Sequence, residues 1–196
     1  MIDLERFLAH YPADAPRTAA DEELHDAIGA TLPRALHDLW DAVGLGSHRE
    51  GMISLVDPRD YAAPYAAFFG GDGGGRVPFM VNGFGEPIAY RKLGPREGEV
   101  SILHTYGPRL SVLGYSLDDF LTSQLVDDDA LRQVVNVPLF SDLRGRLRKL
   151  RPGECYGFDP GVLREEPEGT KADASHFEVV EALEHLELLL RRAAED

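Results

Sequence analysis

Seven histidines and one cysteine are the side chains of this chain best suited to metal binding or nucleophilic chemistry. The histidines do not occur as HxH, HxxxH or HExxH, the spacings that place two metal ligands on one face of a strand or helix. His185 lies close in sequence to Glu181 and Glu184 and could approach a metal with them. A histidine on an amphipathic helix is more often a packed or surface residue, so we expect no metal site.

A nucleophilic site has equally little support in the sequence. There is no GxSxG nucleophile elbow. Cys155, between Glu154 and Tyr156, could be an activated thiol if the fold brought a histidine near it. The commoner case is a buried, unreactive cysteine. We therefore expect no catalytic residue and predict that the protein is not an enzyme.

The glycine-rich segment at 70–75, GGDGGG, could be mistaken for a phosphate-binding loop. A P-loop continues with Lys-Ser or Lys-Thr, and a Rossmann turn continues into a helix. Here an Arg-Val-Pro segment and a predicted strand follow. The aspartate triple at 127–129 lacks the alternating spacing and the closing Glu of an EF-hand loop. Neither segment predicts a nucleotide or calcium site, and we expect no cofactor.

The charge balance restricts the partners of the protein. The 34 acidic and 20 basic residues give a net charge of −14. Such a field repels nucleic acid and anionic membranes over long range and speeds association with a basic partner. An acidic composition that only serves solubility explains the same number equally well. The basic residues between 144 and 151 are an exception, and we expect them to pair with acids of a neighbouring domain or to lie at a helix C-terminus.

Bulk features favour a cytoplasmic protein that is used where it is made. No run approaches the roughly 18 apolar residues of a membrane span. The N-terminal segment MIDLERFLAHYP carries acidic residues where a signal peptide carries positive charge. The single cysteine excludes an internal disulfide and fits a reducing compartment. We expect no direct contact with membranes or nucleic acid.

The segment 31–61 is the clearest structural signal in the chain. Thr31 is predicted as the N-cap of a helix, with Pro33 in its first turn and an apolar stripe that includes the single tryptophan. Gly44 and Gly46 end this helix, and a turn and a short buried strand over 52–56 follow. An Asp-Pro turn then leads to a helix that begins at Tyr61 and continues to residue 69, which can accommodate Pro64 only in its first turn.

The remaining pattern predicts a sheet followed by helices. Strands are predicted over 77–81, 87–90, 100–106 and 110–113, with an Asn-Gly turn after the first. Helices are predicted from residue 117, from 138 to about 150, and from 177 to about 194. The fold class is therefore α+β: N-terminal helices packed on an antiparallel sheet, followed by a smaller, mainly helical C-terminal region. We place the domains at 1–125 and 126–196.

Several motifs occur in a fixed order along the chain. Residues 32–61 follow the pattern LPxxLxxLWxxxGLGxxxxGMxxLVxPxxY, and Phe84-Gly85-Glu86 comes after the predicted Asn-Gly turn. A Leu-Phe pair at 139–140, an LxPxExYGF element at 150–158 and a His-Leu pair at 185–186 follow. Together these motifs resemble the bacterial type VI secretion DNase-immunity family, whose members combine a GAD-like N-terminal domain with a C-terminal immunity domain. The resemblance covers about residues 5–190 and departs from the family between 159 and 171.

The resemblance implies an immunity protein that binds a cognate toxin, a type VI secreted nuclease, and occludes its active site. Such an inhibitor needs no cofactor and no turnover. From charge alone, we expect exposed acids near predicted loops to contact a basic toxin. These acids are Glu50, Asp72, Glu86, Asp118 and Asp119.

Two other functions are compatible with the sequence. In a small-molecule-binding or regulatory module, the GGDGGG loop and Tyr156-Gly157-Phe158 would line a pocket. In an enzyme with a dispersed site, the fold would have to gather a polar pocket of groups with perturbed pKa values.

Overall fold

The computed structural model describes residues 3–29, 31–95, 97–105, 109–158 and 174–194. These residues contain eight α-helices and eight strands. The helices are α1 (Leu4–His10), α2 (Glu22–Ile28), α3 (Arg34–Val43), α4 (Pro58–Ala67), α5 (Leu117–Thr122), α6 (Asp128–Leu131), α7 (Val137–Arg146) and α8 (Ala182–Ala194). The strands are β1 (Gly46–His48), β2 (Ile53–Leu55), β3 (Arg76–Asn82), β4 (Pro87–Lys92), β5 (Gly98–His104), β6 (Arg109–Gly114), β7 (Glu154–Phe158) and β8 (Phe177–Glu181).

Strands β1 to β6 form one antiparallel sheet in which each strand pairs with its neighbour in sequence. Strands β7 and β8 form a separate antiparallel pair. The predicted α+β class is confirmed. The predicted arrangement of N-terminal helices followed by the sheet is only partly correct, because helices are spread along the chain and α4 lies between β2 and β3.

Helix α3 begins later than predicted. Thr31 is not its cap: the helix starts at Arg34, and Pro33 occupies the cap position with an extended ψ of 147° and no capping side chain. Trp40 and three other apolar side chains of α3 are buried, as the stripe predicts. Gly44 ends the helix with φ of 73°, and its N–H donates to the Trp40 carbonyl.

Helix α4 starts three residues earlier than predicted, because Asp57 and Pro58 supply a cap and a first-turn proline. The Asp57 carboxylate accepts the N–H of Arg59 at 2.9 Å. Pro64 therefore lies inside the helix instead of in its first turn, which corrects the prediction. The buried rings of Tyr61 and Tyr65 anchor the helix despite the hydrogen bond that the proline removes.

The C-terminal region is less helical than predicted. Residues from Phe177 to Glu181 form strand β8 and pair with β7, and the last helix starts only at Ala182. The exposed Glu178 between two apolar neighbours, Phe177 and Val179, gives the alternation typical of a strand. The segment 159–171, where the sequence departs from the immunity family, lies outside the described residues. The Gly-Pro connection after β5 also lies outside them.

The central strands of the large sheet are largely buried on both faces, whereas every residue of β6 is half-buried or exposed. Ile88 and Tyr90 belong to the main apolar cluster on one face, which also contains α1, α3 and α5 side chains. The alternate residue Ala89 points the other way and packs against Tyr65 of α4. Leu186 of α8 covers the same face near β3. The sheet thus forms the middle layer of the molecule.

The turn between β3 and β4 joins the sheet to the C-terminal region. The Gly83 carbonyl accepts the N–H of Tyr156 at 2.8 Å, and the Phe84 ring packs edge-on against Phe140 with 6.3 Å between centroids. A Cβ added to Gly85 would lie 2.8 Å from the Cys155 Sγ atom. One continuous core cluster therefore includes residues on both sides of position 125. The two-domain division stays a prediction.

Among the helices in the described part of the chain, none combines the length and the apolar character that crossing a membrane requires.

A methyl group at residue 83 tests the close approach at this turn. In Gly83→Ala the new Cβ overlaps the Phe140 ring and lies 3.0 Å from the Gly51 carbonyl oxygen. We expect the free energy of unfolding in urea to fall by about 1–3 kcal/mol. Gly145→Ala is the matched control, since nothing lies within 4 Å of its added Cβ and alanine favours the surrounding helix. Equal stability of both variants would contradict the packing at Gly83.

His48 makes the stability depend on pH. It is fully buried in β1, and its Nδ1–H donates to the Tyr11 carbonyl at 2.9 Å. Burial lowers the pKa of His48 below its ordinary value, so the unfolded chain takes up this proton first as the pH falls. Stability should therefore be full above about pH 6.5 and should decrease below it.

The variant His48→Asn keeps a side-chain N–H donor and removes the titration. We expect its stability to depend less steeply on pH than that of the wild type, by up to about 1.4 kcal/mol per pH unit between pH 6.5 and 5. Urea denaturation at pH 5.5, 6.5 and 7.5 measures the two slopes. Parallel slopes would show that His48 does not titrate in this range.

Candidate functional site

A cleft of about 450 Å³ opens between three parts of the fold. One wall is the β1–β2 edge of the large sheet, the second is the first turn of α4, and the third is the Pro152-Gly153 turn with the ends of β7 and β8. Its volume lies within the range of ordinary ligand sites. The cleft thus brings together residues from both ends of the chain.

The floor of the cleft is apolar. Leu55, Val81 and Tyr61 line it from the sheet and α4, and Ala182 and Leu183 line it from the start of α8. Tyr61 and Val81 pack together with Leu186 in one small buried cluster, which fixes α4 and α8 on the same face of the sheet. This floor suits an alkyl or aromatic group.

Four carboxylates surround the floor: Asp57, Asp60, Glu154 and Glu181. Two of them are neutralised. Asp57 pairs with Arg59 at 2.6 Å, and Glu154 accepts two hydrogen bonds from the Arg148 guanidinium at 2.6 and 2.7 Å. Within the described residues, the side-chain carboxylates of Asp60 and Glu181 have no hydrogen-bond or ion-pair partner.

The Glu181 carboxylate lies at the exposed end of β8. Glu181 lies directly opposite Glu154 in the β7–β8 pairing, but the Arg148 guanidinium neutralises Glu154. The Oε2 atom of Glu181 would lie 3.0 Å from a Cβ at Gly153, whose φ of 86° favours glycine. Because the Glu181 side chain is exposed and its carboxylate has no partner in the described residues, we expect it to contribute little to folding.

The carboxylates of Asp60 and Glu181 also affect the pKa values of neighbouring side chains. Burial raises the pKa of the Tyr61 hydroxyl, and the nearby Cys155, Asp60 and Glu181 raise it further. Burial, with the charges of Glu181 and Glu154, raises the pKa of the Cys155 thiol to about 12. At neutral pH Cys155 is a protonated, inaccessible thiol, the opposite of an activated nucleophile.

Two of the five acids chosen from the sequence bind other parts of the same chain. Glu50 pairs with both Arg144 and Lys149, so it joins the turn after β1 to the region around the end of α7. Glu86 accepts hydrogen bonds from the Asn82 amide at 2.8 Å and from His104 at 3.0 Å. The Glu50 contacts pair two basic residues of the 144–151 segment with an acid far away in sequence, and that this acid belongs to a neighbouring domain stays a prediction.

The other three acids lie at helix starts and turns. Asp72 is exposed and accepts the Gly74 N–H at 2.9 Å in a short 3-10 turn. Asp118 and Asp119 occupy the first turn of α5, and Asp119 accepts a hydrogen bond from Gln124 at 3.0 Å. None of the five predicted acids lines the cleft. Their role in partner binding stays a prediction.

The GGDGGG loop and Tyr156-Gly157-Phe158, which the small-molecule alternative places in one pocket, lie in different surroundings. The GGDGGG segment turns beside Tyr65 on α4. Tyr156 is fully buried, stacks edge-on against Phe140 at 5.3 Å and donates its hydroxyl to the Arg148 carbonyl at 2.6 Å. Phe158 alone of this element lines a cleft, one of about 300 Å³ beside His185.

The structure brings together two histidines that the sequence pattern did not connect. The Nδ1 atoms of His25 and His37 lie 2.7 Å apart, and His25 Nε2 lies 3.0 Å from the Asp41 carboxylate. Only one proton fits between the two Nδ1 atoms, and burial lowers the pKa of His37. The spacing of His37 and Asp41 on α3 is a local signal, but the approach of His25 depends on how α2 packs. Among the described residues, no three His, Cys, Asp or Glu side chains are arranged to hold a metal.

The sequence matches no family model and no curated protein. The fold does have a similar solved structure. It is similar to the crystal structure of Atu4351 from Agrobacterium tumefaciens, with a TM-score of 0.69. The two sequences are 15% identical over 95% of this chain and 88% of that chain. At this identity the likeness shows a shared fold across almost the whole chain, and nothing more.

If Asp60 and Glu181 serve binding, their neutralisation should not harm folding. We expect the free energy of unfolding to fall by no more than about 0.5 kcal/mol in Asp60→Asn/Glu181→Gln, because both carboxylates are exposed and unpaired and only the favourable position of Asp60 in the first turn of α4 is lost. Glu154→Gln is the control and should lose about 1 kcal/mol with its paired Arg148 contacts. Urea denaturation of the three proteins at pH 7 gives the comparison. A clear loss of stability in the double variant would assign a structural role to these carboxylates.

Proposed function

We propose that the protein is an immunity protein that binds a basic toxin, a nuclease delivered by type VI secretion, and blocks its active site. The observation that carries this proposal is the cleft whose apolar floor lies below two carboxylates without a basic partner in the described chain. The carboxylates provide charge for recognition, and the floor provides apolar area that a partner can bury.

The charge of the whole molecule fits the same function. A nuclease binds a polyanion and therefore presents a basic cleft. A protein of net charge −14 is steered towards such a surface and competes there with the nucleic acid. Inhibition then requires only occlusion. This mechanism needs neither catalytic groups nor a cofactor on the inhibitor.

Motifs that carry the resemblance to the immunity family meet in the fold. Three aromatic residues from three different motifs pack side by side. The ring centroids of Phe84 and Phe140 are 6.3 Å apart, and those of Phe140 and Tyr156 are 5.3 Å apart. Buried aromatic residues meet in the core of any fold, so this junction agrees with the resemblance but is not specific to it. The toxin-binding function follows from the resemblance by analogy.

Recovery and assay of the partner tests this proposal. The tagged protein is purified from its native host, and any co-purifying protein is identified and assayed for DNA cleavage. We expect one basic protein whose nuclease activity is lost at a 1:1 ratio and whose affinity for the inhibitor falls as salt increases. A nuclease that stays active with saturating inhibitor would refute the immunity function. A thermal-shift screen with nucleotides and amino acids then tests the small-molecule alternative.

Charge reversal tests the acids chosen from the sequence. We expect Asp72→Lys/Asp118→Lys/Asp119→Lys to weaken binding to the recovered partner at least tenfold, mainly through slower association. A control triple, Glu5→Lys/Asp26→Lys/Glu187→Lys, changes the net charge equally at other exposed positions. Equal effects of the two triples in a kinetic binding assay would assign the loss to net charge instead of to this surface.

A further inference from the structure

The cleft beside α4 has the chemistry of a pocket for a single long cation. Its floor is formed by apolar groups of Leu55, Tyr61 and Val81, and its unpaired charges come from Asp60 and Glu181. We infer that it receives one arginine or lysine side chain of the partner protein. This inference rests on the proposed function and names the contact that would anchor the complex.

An arginine or lysine side chain has an apolar stem and a charged head, which match the apolar floor and the unpaired carboxylates of the cleft. Both side chains place three or four methylene groups between the backbone and a charged head, and they bury the methylenes against apolar surface. The head can then reach carboxylates at the edge and form charge-assisted hydrogen bonds. A buried anchor of this kind in a pocket is typical of the residues that dominate binding energy at interfaces.

The pattern of neutralisation explains why these two carboxylates, and not their neighbours, would bind the cation. Asp57 is occupied by Arg59, and Glu154 by Arg148. Asp60 and Glu181 both lie near Tyr61, where their charges act on the same hydroxyl. A cation above Tyr61 would therefore meet both charges.

Other ligands fit the cleft less well. The surrounding negative charge opposes a phosphate or a nucleic acid. A bound metal prefers several converging polar ligands, and the described residues contain no such group of three. An apolar floor leaves a hydrated ion without partners on one side. An alkyl cation satisfies the floor and the carboxylates together.

Small cations that mimic the two side chains test the pocket directly. The intact protein is titrated with butylguanidinium, with butylammonium, and with the neutral N-butylurea, and backbone amide shifts are followed by NMR. We expect one or both cations to give saturable shifts at Gly153, Ala182 and Leu55, with a dissociation constant on the order of 1 mM. N-butylurea should give none. The stronger of the two cations identifies the preferred side chain.

Isosteric variants provide the control. Asp60→Asn/Glu181→Gln should weaken cation binding at least fivefold. Glu5→Gln/Asp26→Asn removes the same charge at exposed positions outside the cleft and should leave the affinity within twofold of the wild type. Shifts that do not saturate, that appear equally with N-butylurea, or that weaken equally in both variants would overturn the pocket.

The failure of this inference can be told apart from the failure of the proposed function. If the protein inhibits its nuclease and Asp60→Asn/Glu181→Gln inhibits with unchanged affinity, the cation pocket is refuted and the immunity function stands. If butylguanidinium binds the cleft and no nuclease is inhibited, the immunity function is refuted. A loss of tenfold or more in nuclease affinity in Asp60→Asn/Glu181→Gln, with the affinity of Glu5→Gln/Asp26→Asn unchanged, supports both.

Discussion

The close approach of the β3–β4 turn to the C-terminal region is the constraint on which the rest of the fold depends. At Gly83 and Gly85 the backbone comes so near to Phe140 and Cys155 that no side chain fits between them. The Gly83 carbonyl also accepts a hydrogen bond from the backbone N–H of Tyr156, which lies two residues after the start of β7. This contact fixes the position of β7. It thereby fixes where the turn before β7 and the β8–α8 connection lie relative to α4, and so the width of the cleft.

The ion pairs within the fold show where in the molecule the excess negative charge lies. Most acids that lie inside the fold are neutralised there: Glu99 is held between Arg76 and Arg91, with oxygen–nitrogen distances of 2.7 and 2.6 Å. Glu50 and Glu154 use basic residues from the segment after α7 in the same way. The excess negative charge is therefore found at helix starts, on exposed faces and above the cleft floor. A long-range field and a local pocket can then serve one partner, the first for the rate of encounter and the second for the lifetime of the complex.

Local signals in the sequence predicted most elements, and long-range packing decided the exceptions. The Asn82-Gly83 turn and the Ser116 cap of α5 lie where the sequence placed them, because each depends on neighbouring backbone groups. The apolar spacing from Phe177 fits a helix as well as a strand, and only the partner strand β7 selects the strand. The cleft was not predictable: Asp60 and Glu181 are far apart in sequence. Glu50, chosen for its predicted turn, pairs with residues that the sequence does not place beside it.

Folding leaves the carboxylates of Asp60 and Glu181 without a partner in the described residues. Their neighbours Asp57 and Glu154 are already neutralised by Arg59 and Arg148. Under the proposed function, a cationic partner would gain an attraction from these two carboxylates that folding does not use. The two carboxylates come from α4 and from the end of β8, which are far apart in the chain and meet only at the cleft. A partner that engages both would therefore stabilise the folded arrangement that brings them together.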